Sequence, residues 1–163
     1  MYNPESLARA DIADRRRRSA RGDQSVSSVA AALAYVPIFS QCSKRELKLV
    51  AKLAKTKMLR AGAELITEGE EGDSMFVVLS GHAQVSKDRR KLADIGPGVV
   101  VGELAVFSKA RRNATVTLAS DSEVATINRR DVYRLVEDAP GFARKLLEAM
   151  STRIRDLDES VTS

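Results

Sequence analysis

Between Met58 and Ile127 the apolar residues come in eight short runs: KMLR, ELIT, MFVVL, AQV, KLADI, GVVV, ATVTL and EVATI. No other feature of the chain constrains the fold as much. Each run is too short for a helix, and Gly62, Gly69, Gly72, Gly81, Gly96, Pro97 and Gly98 punctuate the stretch. Many short strands with glycine-rich turns point to a sandwich or barrel. Inside this stretch GELAVF, Gly102–Phe107, breaks the extended period and reads as a single helical turn between strands.

Helical patterns flank the strands. Val26–Tyr35 is alanine-rich and reads as a helix that Pro37 ends, because the residue before proline is pushed out of the helical region. Ser43 can cap a second helix and Glu46 completes a capping box, with Leu47, Val50 and Ala54 on one face and an expected end near Lys55. After Ile127, Asp131 is the expected cap of a short helix through Glu137, stopped by the turn Asp138–Gly141. A longer helix then carries Phe142, Leu146, Met150, Ile154 and Leu157 near one face. The expected fold class is therefore α+β: an eight-stranded antiparallel β-barrel, jelly-roll-like, with N-terminal helices, a short helix within the barrel sequence and C-terminal helices. Residues 1–25 have almost no apolar periodicity and are expected to form a flexible basic arm, with helix in part of it as the alternative; residues 26–160 form the folded domain.

Composition removes several function classes. The chain has one cysteine, Cys42, and one histidine, His82. Together they cannot build a zinc cage, and a Cys–His nucleophile pair would need these two to meet in space. No metal or cofactor is expected, and no enzyme activity. A lone cysteine excludes an internal disulfide and fits a reducing cytoplasm. No apolar run approaches the ~18 residues of a membrane span. The formal net charge is +5, and residues 1–28 hold six arginines against four acids. That is not the charge density of a dedicated DNA-binding protein, so nucleic acid is not the expected partner. The run Arg15–Arg18 reads first as a solvated segment. The sharper alternative is contact with nucleic acid or an acidic protein surface. Arg16-Arg17-Arg18-Ser19 also resembles a basophilic kinase site.

The chemistry concentrates in Val101–Val116, VGELAVFSKARRNATV. Gly102 lets the backbone approach a ligand closely. The helical turn after it aims N–H groups at whatever lies beside Gly102, which favours an anion. Arg112, on the return path into the next strand, can grip two phosphate oxygens at once. Glu103 would repel a phosphate and so calls for a hydroxyl donor. Phosphate and hydroxyl held close together describe a ribose phosphate. Ala105 and Ala114 are small and leave room for it. The other reading of Glu103 and Arg112 is a structural ion pair.

This segment resembles the phosphate-binding cassette of the cyclic-nucleotide-binding domains, found in catabolite-activator-type regulators, cAMP-dependent kinase regulatory subunits and gated channels. The family pattern is an apolar residue, Gly-Glu-Leu-Ala, a loop, then Arg-x-Ala-Thr. It corresponds to Val101, Gly102, Glu103, Leu104 and Ala105, then Arg112, Asn113, Ala114 and Thr115. EGEEGDSMFVVLSGHAQV, Glu68–Val85, is similar to the family's hairpin and following strand, with Gly69, Gly72 and Asp73 as turn residues. The resemblance runs from about Pro37 to Asp158. It implies that Glu103 accepts the ribose 2′-hydroxyl, that Arg112 pairs with the cyclic phosphate, and that the amides of Leu104, Ala105 and Ala114 complete the cradle. It also implies a C-terminal helix that closes over the base, with Met150, Ile154 and Leu157 as lid residues and Pro140-Gly141 as hinge. Asn113, where threonine favours cGMP in the family, leans the expectation to cAMP over cGMP. Two departures stand out: Arg111 where proline is frequent, and Val101 where an aromatic is frequent. The expected function is a cyclic-nucleotide sensor that passes its signal to an effector protein or a second copy in a homodimer. The alternatives are an interaction module without ligand, or nucleic-acid contact through the arm. A catabolite-activator-type regulator would need a helix-turn-helix after the long helix, and only a handful of residues follow Asp158 here.

Overall fold

The computed structural model describes residues 4–162, with side chains from Ile12 onward except Ala13, Val161 and Thr162. Helix α1 spans Pro4–Leu33, followed by a 3₁₀ turn at Pro37–Phe39 and α2 at Lys44–Ala51. Five strands come next: β1 (Lys55–Leu59), β2 (Glu64–Ile66), β3 (Ser74–Ser80), β4 (Ala83–Lys87) and β5 (Arg90–Ile95). The chain continues through β6 (Val100–Val101), α3 (Leu104–Phe107), β7 (Thr115–Leu118), β8 (Ser122–Asn128), α4 (Arg129–Asp138) and α5 (Pro140–Thr162). All eight apolar runs become strands, and the helical turn lies where the period breaks.

The strands form two four-stranded antiparallel sheets, ordered β1-β8-β3-β6 and β2-β7-β4-β5. The period of two in β3 and β8 divides their side chains between two cores. Met75, Val77, Ala125 and Ile127 join Val29, Leu33, Phe39 and Val50 under the helices. Val78 and Val124 face Ile66, Ala83, Ile95, Val116 and Leu118 between the sheets.

Three helix boundaries differ from expectation. Helix α1 begins at Pro4, so the helix allowed for part of the arm runs through all of residues 4–25; residues 1–3 lie outside the described part. Alanine, leucine and arginine favour helix, and Asp14 pairs with Arg18 one turn on at 2.9 Å. Apolar periodicity missed this segment because residues 14–24 bury no face. The capping box on α2 forms as read: Glu46 N–H donates to Ser43 Oγ at 3.2 Å and Ser43 N–H to Glu46 Oε1 at 3.0 Å. The helix stops at Ala51, short of Lys55, because Lys55–Leu59 pairs with β8. The cap of α4 is Asn128, not Asp131: Asp131 N–H donates to Asn128 Oδ1 at 2.9 Å.

Helix α5 is bolted to the N-terminal elements. Phe142 stacks on Phe39 at a 6.5 Å centroid separation, and Lys145 forms an ion pair with Glu46. Phe39 also meets Phe107 of α3 edge to face at 6.1 Å. Among the described residues no helix is long and apolar enough to cross a membrane.

Candidate functional site

Gly102 follows β6 with a φ of +76°. A Cβ there would lie 2.6 Å from Arg112 Nη1 and 2.8 Å from Ile66 Cδ1. The glycine therefore supplies both the left-handed turn into α3 and the space that Arg112 occupies. The first bonds of the turn are short-range: Ala105 N–H reaches Gly102 O and Val106 N–H reaches Glu103 O, each at 3.2 Å.

Arg112 returns from the loop and points back at this turn. Its Nη1 donates to Gly102 O at 3.3 Å and its Nη2 to Ser74 O at 2.7 Å. Among the described residues no ion pair joins it to Glu103, so the structural-pair reading of these two residues does not hold. Burial pushes the Arg112 guanidinium below its ordinary pKa; Asp73 opposes that shift and Arg129 adds to it. The hairpin residues turn out to back the arginine. A Cβ on Gly72 would overlap the Arg112 guanidinium, so a larger residue there would displace that group.

Arg129, at the start of α4, was not among the residues singled out from sequence. Its Nε donates to Ala105 O at 3.1 Å, and its Nη2 reaches Ala105 O at 2.6 Å and the carbonyls of Gly72 and Ser108 at 3.1 Å. One side chain thus ties the hairpin, the cassette helix and α4 together. Carbonyl acceptors carry no sequence signature, so nothing in the chain marked it.

A cavity of about 580 Å³ opens beside these groups. Gly102, Glu103, Leu104, Ala105, Arg112, Asn113 and Ala114 all line it, with Arg111 and an apolar wall that includes Ile66, Val85, Val100 and Val116. Thr115 does not: its Oγ1 accepts the Glu68 N–H at 3.0 Å and fastens the hairpin to β7. None of the expected lid residues lines the cavity either. Met150 is half-buried against the helix-side core, while Ile154 and Leu157 are exposed. Phe142 and Leu146, on the same helix, are held in that core.

Arg111, Arg112 and Glu103 thus line one cavity together with apolar residues that include Ile66, Val85, Val100 and Val116. Residues 56–139 match the family model of the cyclic nucleotide-binding domain. The chain belongs to that family. It is 24% identical over 127 residues to the cyclic AMP receptor protein of Thermus thermophilus, covering 75% of this chain and 59% of that protein. It is 34% identical over 103 residues to a cAMP-dependent protein kinase regulatory subunit of Yarrowia lipolytica, covering 62% of this chain and 28% of the relative. The chain thus spans less than two thirds of either relative. Among solved structures, the N-terminal domain of a transcriptional regulator from Streptomyces coelicolor superposes with a TM-score of 0.70 at 27% identity, covering 80% of this chain and 94% of that one.

Proposed function

We propose that the chain is a cyclic-nucleotide sensor rather than an enzyme, that cAMP enters the cavity between the cassette and the apolar wall, and that occupancy is passed on through the helices. The observation that carries this reading is that Arg112 and Glu103 line the same cavity, with the arginine hydrogen-bonded to the carbonyls of Gly102 and Ser74. Arg112 takes the cyclic phosphate, the turn at Leu104 and Ala105 and the amide of Ala114 surround it, and Glu103 accepts the ribose 2′-hydroxyl. The route outward is the ring series Phe107, Phe39 and Phe142, which joins the cassette helix to α5. Movement of the cassette reaches Phe142 by this path, next to the Pro140-Gly141 hinge. Titration calorimetry with cAMP, its 2′-deoxy analogue and cGMP tests the site. Arg112→Ala weakens all three. Glu103→Ala narrows the gap between cAMP and the deoxy analogue, and an unchanged gap refutes the ribose role. cGMP binding as tight as cAMP overturns the base choice.

One observation favours a second copy of this chain as partner. On α5, Leu147, Ile154 and Leu157 are 69%, 59% and 54% exposed, with Met150 between them. The spacing, continued in sequence at Val161, is that of the apolar seam of a two-stranded coiled coil. Arg153 and Asp158 flank the seam five residues apart, so parallel pairing sets each Arg153 opposite the other copy's Asp158. The seam and the lid use the same residues, so these side chains serve either the cavity or the second copy. Sedimentation of Ile154→Asp separates the two: loss of a dimer supports the seam, and a dimer that persists excludes it.

A further inference from the structure

Arg111 is the cation that recognition of a single cyclic phosphate leaves unused. It is exposed and lines the cavity beside Arg112. Its Nη1 donates to Gly69 O at 2.8 Å. That contact is anchored on both sides, because Gly69 N–H donates to Arg112 O and Arg112 N–H to Glu70 O, each at 2.8 Å. The guanidinium is therefore held at the rim. Among the described residues one of its five N–H donors is engaged and four remain.

The charged residues lining the cavity are Glu103, Arg111 and Arg112. A phosphodiester with a ribose hydroxyl occupies Glu103 and Arg112 and leaves Arg111 without a counter-charge. No ion pair among the described residues includes Arg111. The acids of the adjoining hairpin do not supply one: Glu68 Oε2 accepts the Asp88 N–H, Asp73 acts on Arg112, and neither Glu70 nor Glu71 lines the cavity. The rim is open, since Leu104, Ser108, Ala110, Arg111 and Asn113 are all exposed cavity residues. A ligand can extend past it.

We propose that Arg111 adapts the site to a cyclic nucleotide with two phosphate groups, a cyclic dinucleotide, with Arg112 holding the inner phosphodiester and Arg111 the outer one. This rests on the reading of the cavity as a cyclic-nucleotide site. The test is calorimetric titration of the full chain and of Arg111→Gln, Arg111→Lys and Arg112→Ala with cAMP, cyclic di-AMP and cyclic di-GMP. Thermal melting of each variant without ligand checks that it folds. In the unmodified chain one of the dinucleotides binds at least tenfold tighter than cAMP. Arg111→Gln lowers that preference tenfold or more, and Arg111→Lys restores part of it because it keeps the charge. A preference that stays within twofold in Arg111→Gln overturns the inference, as does cAMP binding that depends on Arg112 with no dinucleotide binding at all. If no cyclic nucleotide binds the unmodified chain, the underlying reading of the cavity fails and the inference falls with it.

Discussion

Replacing Arg129 with methionine isolates the contact that holds the cassette while leaving the ligand-facing groups in place. Methionine keeps the aliphatic stem that packs at the start of α4 and removes the guanidinium. Three carbonyls then lose a charged donor. Ser108 is exposed, so water replaces its bond at little cost. Ala105 is buried and Gly72 half-buried, and their carbonyls are less well compensated. At the low end of about 1.5–3 kcal/mol for a hydrogen bond to a charged group, these two carbonyls together account for about 3 kcal/mol. If the whole domain feels that loss, the melting temperature falls by about 6–12 °C. If the cassette releases locally while the sheets stay folded, the loss appears in ligand affinity instead, and about 3 kcal/mol corresponds to roughly 100-fold. Thermal melting and cAMP titration on the same variant cover both cases. Because Arg129 touches no ligand group, cAMP and its 2′-deoxy analogue weaken by the same factor. A variant that melts within about 1 °C of the parent and binds within twofold would mean that these bonds do not hold the cassette.

Gly102→Ala and Gly98→Ala make a matched pair: both glycines have positive φ, but only the first Cβ meets Arg112 and Ile66. Both variants lose about 1–2 kcal/mol of stability to backbone strain, while only Gly102→Ala loses ligand affinity, by tenfold or more in titration. Glu46 is held below its ordinary pKa of 4.5, first by the Lys145 hydrogen bond and then by the Ser43 N–H. Its folded value is depressed, so its contribution to stability is present above pH 4.5 and disappears as the pH falls through the folded value; urea midpoints of the parent and Glu46→Gln therefore converge on acidification, and parallel curves refute the pairing. Burial, with Glu46 adding to it and Lys145 opposing it, pushes the Cys42 thiol up to about 11. Alkylation of the folded protein at pH 8 is accordingly much slower than that of the urea-unfolded chain, and equal rates contradict the burial of the thiol.

The strands were legible because alternation with a period of two shows directly in short apolar runs, whereas their pairing was not, since β1 joins β8 and β2 joins β7 across long separations. The extent of the N-terminal helix was not legible because residues 14–24 bury no face and so leave no apolar period, whatever their propensity. Asn128 and Asp131 are both good capping types three residues apart, and local sequence does not decide between them; strand β8 does, because it runs through Ser122–Asn128 and sets where the helix can start. In the site, Gly102, Glu103 and Arg112 were readable because they fall in one contiguous segment. Arg129 and Gly72 were not, since they meet across 57 residues through a carbonyl. For Met150, Ile154 and Leu157 the spacing was legible, but the surface they face was not.

If Arg112 takes the cyclic phosphate as proposed, the arrangement around it favours that capture. A guanidinium bound to a carboxylate is already neutralised, and a phosphate would have to displace that partner. Here the bonds go to the carbonyls of Gly102 and Ser74, which orient the group without cancelling its charge. Asp73 favours the cation but makes no ion pair with it among the described residues. The cation is partly stripped of water when the chain folds, and its lowered pKa reflects that desolvation. Much of the cost of preparing the site is therefore incurred before a ligand arrives, and an entering phosphate gains the attraction without first breaking a salt bridge. The phosphate must compete with Gly102 O for Nη1, and that carbonyl also accepts the Ala105 N–H that starts α3. In the proposed mechanism, drawing Arg112 toward a ligand loosens one of the two bonds on the Gly102 carbonyl, so ligand capture and movement of the cassette helix share one acceptor.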